Sequence, residues 1–213
     1  MKKVLVIGAN GQVGKHIVQH LIESKYAAVA MVRNEKQLSD FESLGAQAVI
    51  GDLEKDFSHA YSGCDAIIFA AGSGAHTGYD QTILIDQEGA IKAGEIAEKL
   101  GVKRFVMLSS LGTENPEKGP ESLKPYLYAK KRADEVLKQK DLIYTIVRPG
   151  RLSNEDGNGL VRIEKRLSDV SGSISRQDVA KTLVECVENE NTYYKIFEML
   201  SGDQTITDAL NAL

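Results

Sequence analysis

A chain of 213 residues that is 42% hydrophobic and 26% charged has room for one substantial α/β domain and too much apolar content for a disordered chain. The formal net charge of −4, with Lys130-Lys131-Arg132 as the densest basic run, argues against a nucleic-acid surface, and no apolar run approaches the roughly 20 residues of a membrane span. Cys64 and Cys186 are isolated and far apart, which suggests neither a disulfide framework nor a Cys-rich metal site.

Met1-Lys2-Lys3 leads straight into an apolar run, leaving no space for a signal peptide, so the cytoplasm is the expected compartment. Val4-Leu5-Val6-Ile7 reads as a strand buried on both faces, the usual situation in a parallel sheet. Gly8-Ala9-Asn10-Gly11-Gln12-Val13-Gly14 follows, a Gly-x-x-Gly-x-x-Gly turn opening a helix on which Val13, Ile17 and Leu21 share one face. Gly8 permits the tight turn, Gly11 admits a ligand where a Cβ would collide, and Gly14 lets helix and strand pack closely. The helix N-terminus presents unpaired N–H groups and partial positive charge, a seat for a pyrophosphate. A structural turn that binds nothing is the plainer alternative, and the strand-turn-helix context speaks for the nucleotide.

Apolar runs at 27–32, 46–50, 66–70, 103–108 and 142–147 predict further strands, with helices at 35–44, 80–100 and 123–140 and a short helix or turn at 56–62. Gly101 is the expected C-cap of the long helix before it. Repeated β-α-β units imply right-handed crossovers and a doubly wound, Rossmann-type parallel sheet over residues 1–150. Beyond Arg148-Pro149-Gly150 the polar stretch Leu152–Gly159 predicts a flexible loop. A helix from Arg176 to about 187, a strand over Lys195–Leu200 and a short helix from Thr205 complete the chain. Residues 151–213 are too few for an independent domain, so 1–213 is expected to be one domain with a small cap over the sheet's C-terminal edge, where open α/β folds bind ligands.

Tyr126 and Lys130 are four apart on a helix that Pro125 favours starting, so both lie on one face. A phenol with a pKa near about 10 is a poor acid at neutral pH, and a neighbouring ammonium is expected to bring it down. Such a pair can exchange a proton with a carbonyl or alcohol oxygen; a half-buried tyrosine beside a solvated lysine is the bland reading. Tyr128 competes but has Arg132 four residues on. Ser109 and Ser110 follow a central strand, where a hydroxyl either meets a substrate oxygen or caps a turn. The second strand ends in Arg33-Asn34, with no acid before Glu35. A guanidinium there forms paired hydrogen bonds to a 2′-phosphate, whereas NAD recognition uses a carboxylate, so NADP is favoured over NAD. His16 and His20 have metal-ligand spacing on the first helix but no third ligand; His59 and His76 match no motif, and no metal is expected.

Gly8, Gly11, Gly14, Ser110, Tyr126 and Lys130 together resemble the short-chain dehydrogenase/reductase superfamily, with the glycine spacing of its extended and atypical branches. Asp86-Gln87-Glu88-Gly89, Arg104–Ser110, Tyr126–Asp134, Tyr144–Gly150 and Ile174–Ala180 look like the small atypical members described as NAD(P)-binding or epimerase/dehydratase-like. The resemblance implies that Ser110 polarises a carbonyl, Tyr126 moves the proton, and Lys130 holds the nicotinamide ribose and tunes Tyr126. It also implies that Asn10, Gln12 and Val13 line the phosphate turn, that Asp52 and Leu53 meet the adenine, that Ala70, Ala71 and Gly72 line the ribose and nicotinamide, and that Pro149 and Gly150 pass close to the nicotinamide. Asp86 stands where the superfamily's tetrad has asparagine, and the C-terminal region is shorter than the extended type. The leading expectation is an NADP-dependent oxidoreductase acting on a small carbonyl or alcohol; an NADP-sensing regulatory protein and a flavin or quinone reductase are the alternatives.

Overall fold

The apolar runs of the first 150 residues pair side by side in a computed structural model that describes residues 1–74 and 77–213. His76 lies outside the described residues. Strands β1 (Lys3–Ile7), β2 (Ala27–Val32), β3 (Gln47–Ile50), β4 (Ala66–Phe69), β5 (Arg104–Leu108) and β6 (Ile143–Pro149) are mutually parallel in the order β3-β2-β1-β4-β5-β6. Side chains alternate across the pleat, so Val4, Val6, Ile68 and Val106 enter one apolar cluster, and Leu5, Ile7, Ile67, Phe69, Phe105 and Met107 the other. Continuous apolar runs are the consequence of a sheet covered on both faces.

Helix α1 (Gln12–Ile22) buries Val13, Ile17, Val18 and Leu21 on the first face, beside α6 (Arg176–Glu185). Helix α2 (Leu38–Ser43) inserts Phe41 into the same cluster. On the second face lie α4 (Ala90–Leu100), stopped by Gly101 in the left-handed region, and α5 (Lys124–Leu137), which starts one residue before Pro125. The helix expected over 80–100 is not uniform. A single turn, α3 (Tyr79–Gln81), runs into a π-helical segment, Thr82–Gly89, before α4 begins. The wider turn carries Asp86 into the interior, a displacement that a search for 3.6-residue periodicity does not detect.

Beyond Gly150 two expectations are corrected. The tail is more than a cap, because β10 (Lys195–Ser201) adds to β6 in parallel, β8 (Leu160–Glu164) pairs antiparallel with β10, and β11 (Gln204–Thr205) with β8. They widen the sheet to nine strands among the described residues and make it mixed. Strand β7 (Arg151–Ser153) pairs with β9 (Ser173–Ser175) in a second, two-stranded sheet, and α7 (Ile206–Asn211) starts from the Thr205 cap. The stretch after Leu152 is also tied down rather than free. The Asp178 carboxylate accepts from the Asn158 and Gly159 amides, the Gln177 side chain accepts from the Gly157 amide, and the Ser175 hydroxyl donates to the Glu155 carbonyl. Among the described residues no helix is long and apolar enough to cross a membrane.

One buried cation joins the two halves. Arg104 donates to the carbonyls of Ile143, Cys186 and Val187 and to the Thr145 and Thr192 hydroxyls, clasping β5 and β6 to the end of α6. Burial brings its pKa down to about 10, so it keeps its charge at neutral pH.

Candidate active site

Because β1 to β6 run in parallel, their C-terminal ends fall on one edge of the sheet, and the sequence-selected residues gather there. Gly8 to Gly14 follow β1, Arg33 follows β2, Asp52 and Leu53 follow β3, Ala70 to Gly72 follow β4, Ser110 follows β5, and Pro149 ends β6.

The first turn is built around missing side chains. Gly8 has φ +89°, and a Cβ on it would sit 2.5 Å from the Ala71 nitrogen, so the turn lies directly against the end of β4. A Cβ on Gly14 would meet the Gly8 carbonyl oxygen at 2.1 Å. Gly11 is the N-cap of α1 and has no side chain to cap it, its own amide donates to the Gly8 carbonyl at 3.0 Å, and Asn10, Gly11 and Gln12 are exposed. The N–H groups opening the helix are therefore free to face a phosphate, with no acidic residue in the first turn to repel it. The residues present fit a dinucleotide. Gly14→Ala is expected to lower stability by about 3 kcal/mol, since the clash is with backbone that cannot swing away, and to weaken nucleotide binding in parallel. Denaturant unfolding and a nucleotide titration of the same preparation check both.

Arg33 is exposed, with Asn34 beside it capping the short turn at Glu35–Gln37 through the Lys36 amide. Asp52 is half-buried and accepts from the Glu54 amide, while Leu53 is buried against Gly89. Pro149 is buried, and its carbonyl accepts from the Leu111 amide. A cavity of about 350 Å³ opens beside Gln12, lined also by Lys15, His16, Asn154 and Arg176. Sequence reasoning had not placed Asn154 or Arg176 near the glycine turn; the polar loop's attachment to the start of α6 brings them there.

The second part of the site lies at the ends of β4 and β5. Tyr126 is half-buried, and the Lys130 ammonium stands 5.9 Å from the centre of its ring. The Ser110 hydroxyl donates to the Leu111 carbonyl at 3.2 Å and lies near enough to the phenol to oppose the rise in its pKa. Ser109 is turned inward instead, donating to Asp134 at 2.9 Å, and Tyr128 lies on the exposed face, donating to Glu117. Ser110, Tyr126 and Lys130 thus come together; Tyr128 and Ser109 do not join them.

The expected downward pull of Lys130 on Tyr126 is outweighed. Burial raises the phenol's pKa, Asp86 and Asp134 raise it further, and Lys130 and Ser110 oppose them without reversing the sign. Lys130 itself is engaged: Nζ donates to the Leu108 carbonyl at 3.2 Å and lies 3.4 Å from Asp86 Oδ1. Burial works against its charge, but Tyr126, Asp86 and Asp134 together keep its pKa above the ordinary value. Further in, Asp134 accepts from Arg148 at 3.0 and 3.1 Å, and Arg148 also donates to Glu114 at 2.9 Å. Neither Asp86 nor this second pair could be foreseen as contacts from spacing. Among the described residues no group of three His, Cys, Asp or Glu side chains gathers as a metal site.

A largely parallel sheet covered on both faces, a glycine cradle at its first turn and ligand-facing loops on one edge define an NAD(P)-binding Rossmann protein. The chain belongs to the NAD(P)H-binding family, whose profile matches residues 8–190. It is 46% identical over 215 residues to an uncharacterized sugar epimerase, YhfK, of Bacillus subtilis, covering 99% of this chain and 100% of that one. Among solved structures it is similar to a putative NAD-dependent epimerase/dehydratase from Bacillus halodurans, with TM-score 0.98, 48% identity and full coverage of both chains. It also resembles the oxidoreductase ylbE from Lactococcus lactis, with TM-score 0.89 and 34% identity over 99% of this chain and 96% of that one.

Proposed function

We propose that the protein is an NADPH-dependent reductase of a small carbonyl compound, in which Ser110 polarises the carbonyl oxygen, Tyr126 gives it a proton and Lys130 fixes the Tyr126 environment. The observation that carries this reading is the convergence of Ser110 and Lys130 on one half-buried phenol at the sheet edge that also bears the glycine cradle. The amides of Gln12 and Val13 would hold the pyrophosphate, with Gly8, Asn10, Gly11 and Gly14 shaping the turn. Asp52 and Leu53 would border the adenine, Ala70, Ala71 and Gly72 the ribose, Pro149 the nicotinamide, and Lys130, still paired with Asp86, the nicotinamide ribose. When bound, the reduced nicotinamide supplies the hydride that ends on the carbonyl carbon. Ser110 orients the oxygen, Tyr126 Oη–H breaks as the new O–H bond forms, and the phenolate regains its proton from water. The test is a panel of carbonyls, quinones and flavins assayed for NADPH oxidation. Turnover of a carbonyl supports the reading, and turnover of flavins or quinones alone refutes it.

The preference for NADPH rests on Arg33, exposed directly after β2. A charge-assisted pair with the 2′-phosphate contributes about 1.5–3 kcal/mol, so Arg33→Gln should weaken NADPH binding by about tenfold or more and leave NADH binding unchanged. Equal losses for both nucleotides would remove Arg33 from this role.

A further inference from the structure

The buried carboxylate of Asp86 has no part in the roles just described, yet it touches the residue on which they turn. Its Oδ2 accepts the Ser73 amide at 2.9 Å, which ties the π-helical segment to the turn after β4. Its Oδ1 accepts no hydrogen bond among the described residues and lies 3.4 Å from Lys130 Nζ. Both side chains are almost wholly buried, at 1% and 4% exposure, so their charges meet with little screening by water.

Among the described residues the charges that face Tyr126 are few. From α5 come Lys130, one turn on, and Asp134, two turns on; from the π-helical segment comes Asp86; from the end of β5 comes the neutral Ser110 hydroxyl. One ammonium therefore faces two carboxylates, and Asp134 has Arg148 as its own partner. Lys130 is matched by Asp86 before Tyr126 is considered. A phenolate at Tyr126 would be one negative charge too many around a single ammonium.

We propose that Asp86 takes up the Lys130 charge as a buried ion pair, so that Tyr126 meets substrate as a neutral hydrogen-bond donor and the site is set for reduction rather than alcohol oxidation. Asp86 is then a positioning residue that acts through Lys130. An asparagine at this place would hold the Ser73 amide equally well through its carbonyl oxygen and would leave the ammonium free to favour a phenolate. The direction of turnover rests on the reductase reading above, whereas the charge state of Tyr126 does not.

The experiment is a pH titration of the protein carrying 13Cζ-labelled tyrosine, with the Tyr126 resonance identified by its loss in Tyr126→Phe. In the unaltered chain Tyr126 should remain protonated past the ordinary phenol value of about 10. In Asp86→Asn its midpoint should fall by about one pH unit or more, since an unmatched ammonium within a few ångströms has an effect of that size. In the double variant Asp86→Asn with Lys130→Met the fall should vanish. An unchanged midpoint in Asp86→Asn, or a midpoint below about 9 in the unaltered chain, overturns the proposal. The second result needs only the Tyr126→Phe chain, for assignment, and no change at Asp86 or Lys130. A protein that reduces no carbonyl but titrates as expected would sink the reductase reading alone, and an active reductase with Tyr126 titrating near neutrality would sink this one alone.

Discussion

Tyr126→Phe is expected to lower kcat for carbonyl reduction by about 10²- to 10⁴-fold while the NADPH dissociation constant stays unchanged. The phenylalanine fills the same half-buried space beside Lys130, so what disappears is the phenol's O–H. Steady-state kinetics together with a fluorescence titration of bound NADPH separate the two quantities. The pH profile of the parent chain carries the same signature. Burial raises the Tyr126 pKa, so the acid form persists through neutral pH and activity should decline only as pH climbs through that elevated value. A variant with undiminished turnover would assign the proton to another group, and one that lost NADPH binding would make Tyr126 part of the nucleotide site.

Arg148→Met is expected to destabilise the fold by about 3–5 kcal/mol. It removes both hydrogen bonds to Asp134 Oδ2 and leaves a carboxylate that is 1% exposed with only Ser109 as donor. The pair does not owe this figure to a large net attraction. Desolvation already raises the Asp134 pKa despite Arg148, and taking the guanidinium away raises it further. A carboxyl whose folded-state pKa exceeds its unfolded value binds more protons when folded, so stability falls as pH rises between those two values. The variant should therefore unfold at higher urea at pH 5 than at pH 8. Replacing both partners, as Asp134→Leu with Arg148→Met, should recover most of the loss, because no charge is then left unpaired. Urea midpoints for the three chains at both pH values decide it.

The parallel core was legible because its signals are local. Val4–Ile7 running into Gly8, Gly11 and Gly14 needs no partner to be read, and neither do the Tyr126–Lys130 spacing or the Gly101 cap. Strands β7 and β9 were not legible, since three residues each carry no period and are held only by each other. Strand β8 did carry an alternation, with Val161 and Ile163 buried, yet its place depends on β10 nearly forty residues later in the chain. The π-helical segment hid the inward turn of Asp86, and its contact with Lys130 spans two helices and a strand. Asp134 and Arg148 both stood within the motifs that carried the family resemblance, but which carboxylate would meet which cation is decided by packing, not spacing. The polar loop after Leu152 was misjudged for the same reason: Gln177 and Asp178, some twenty residues on, supply the acceptors for its amides.

The account depends on a nucleotide whose linked phosphates rest on the Gly8–Gly14 turn with the reactive ring beside Tyr126. A crystal structure of the protein with NADPH tests this directly. Phosphate oxygens should accept from the amides opening α1, and the nicotinamide should lie between Pro149 and the Tyr126 hydroxyl. Phosphates bound elsewhere, or a nicotinamide on the far side of the sheet from Tyr126, would contradict it.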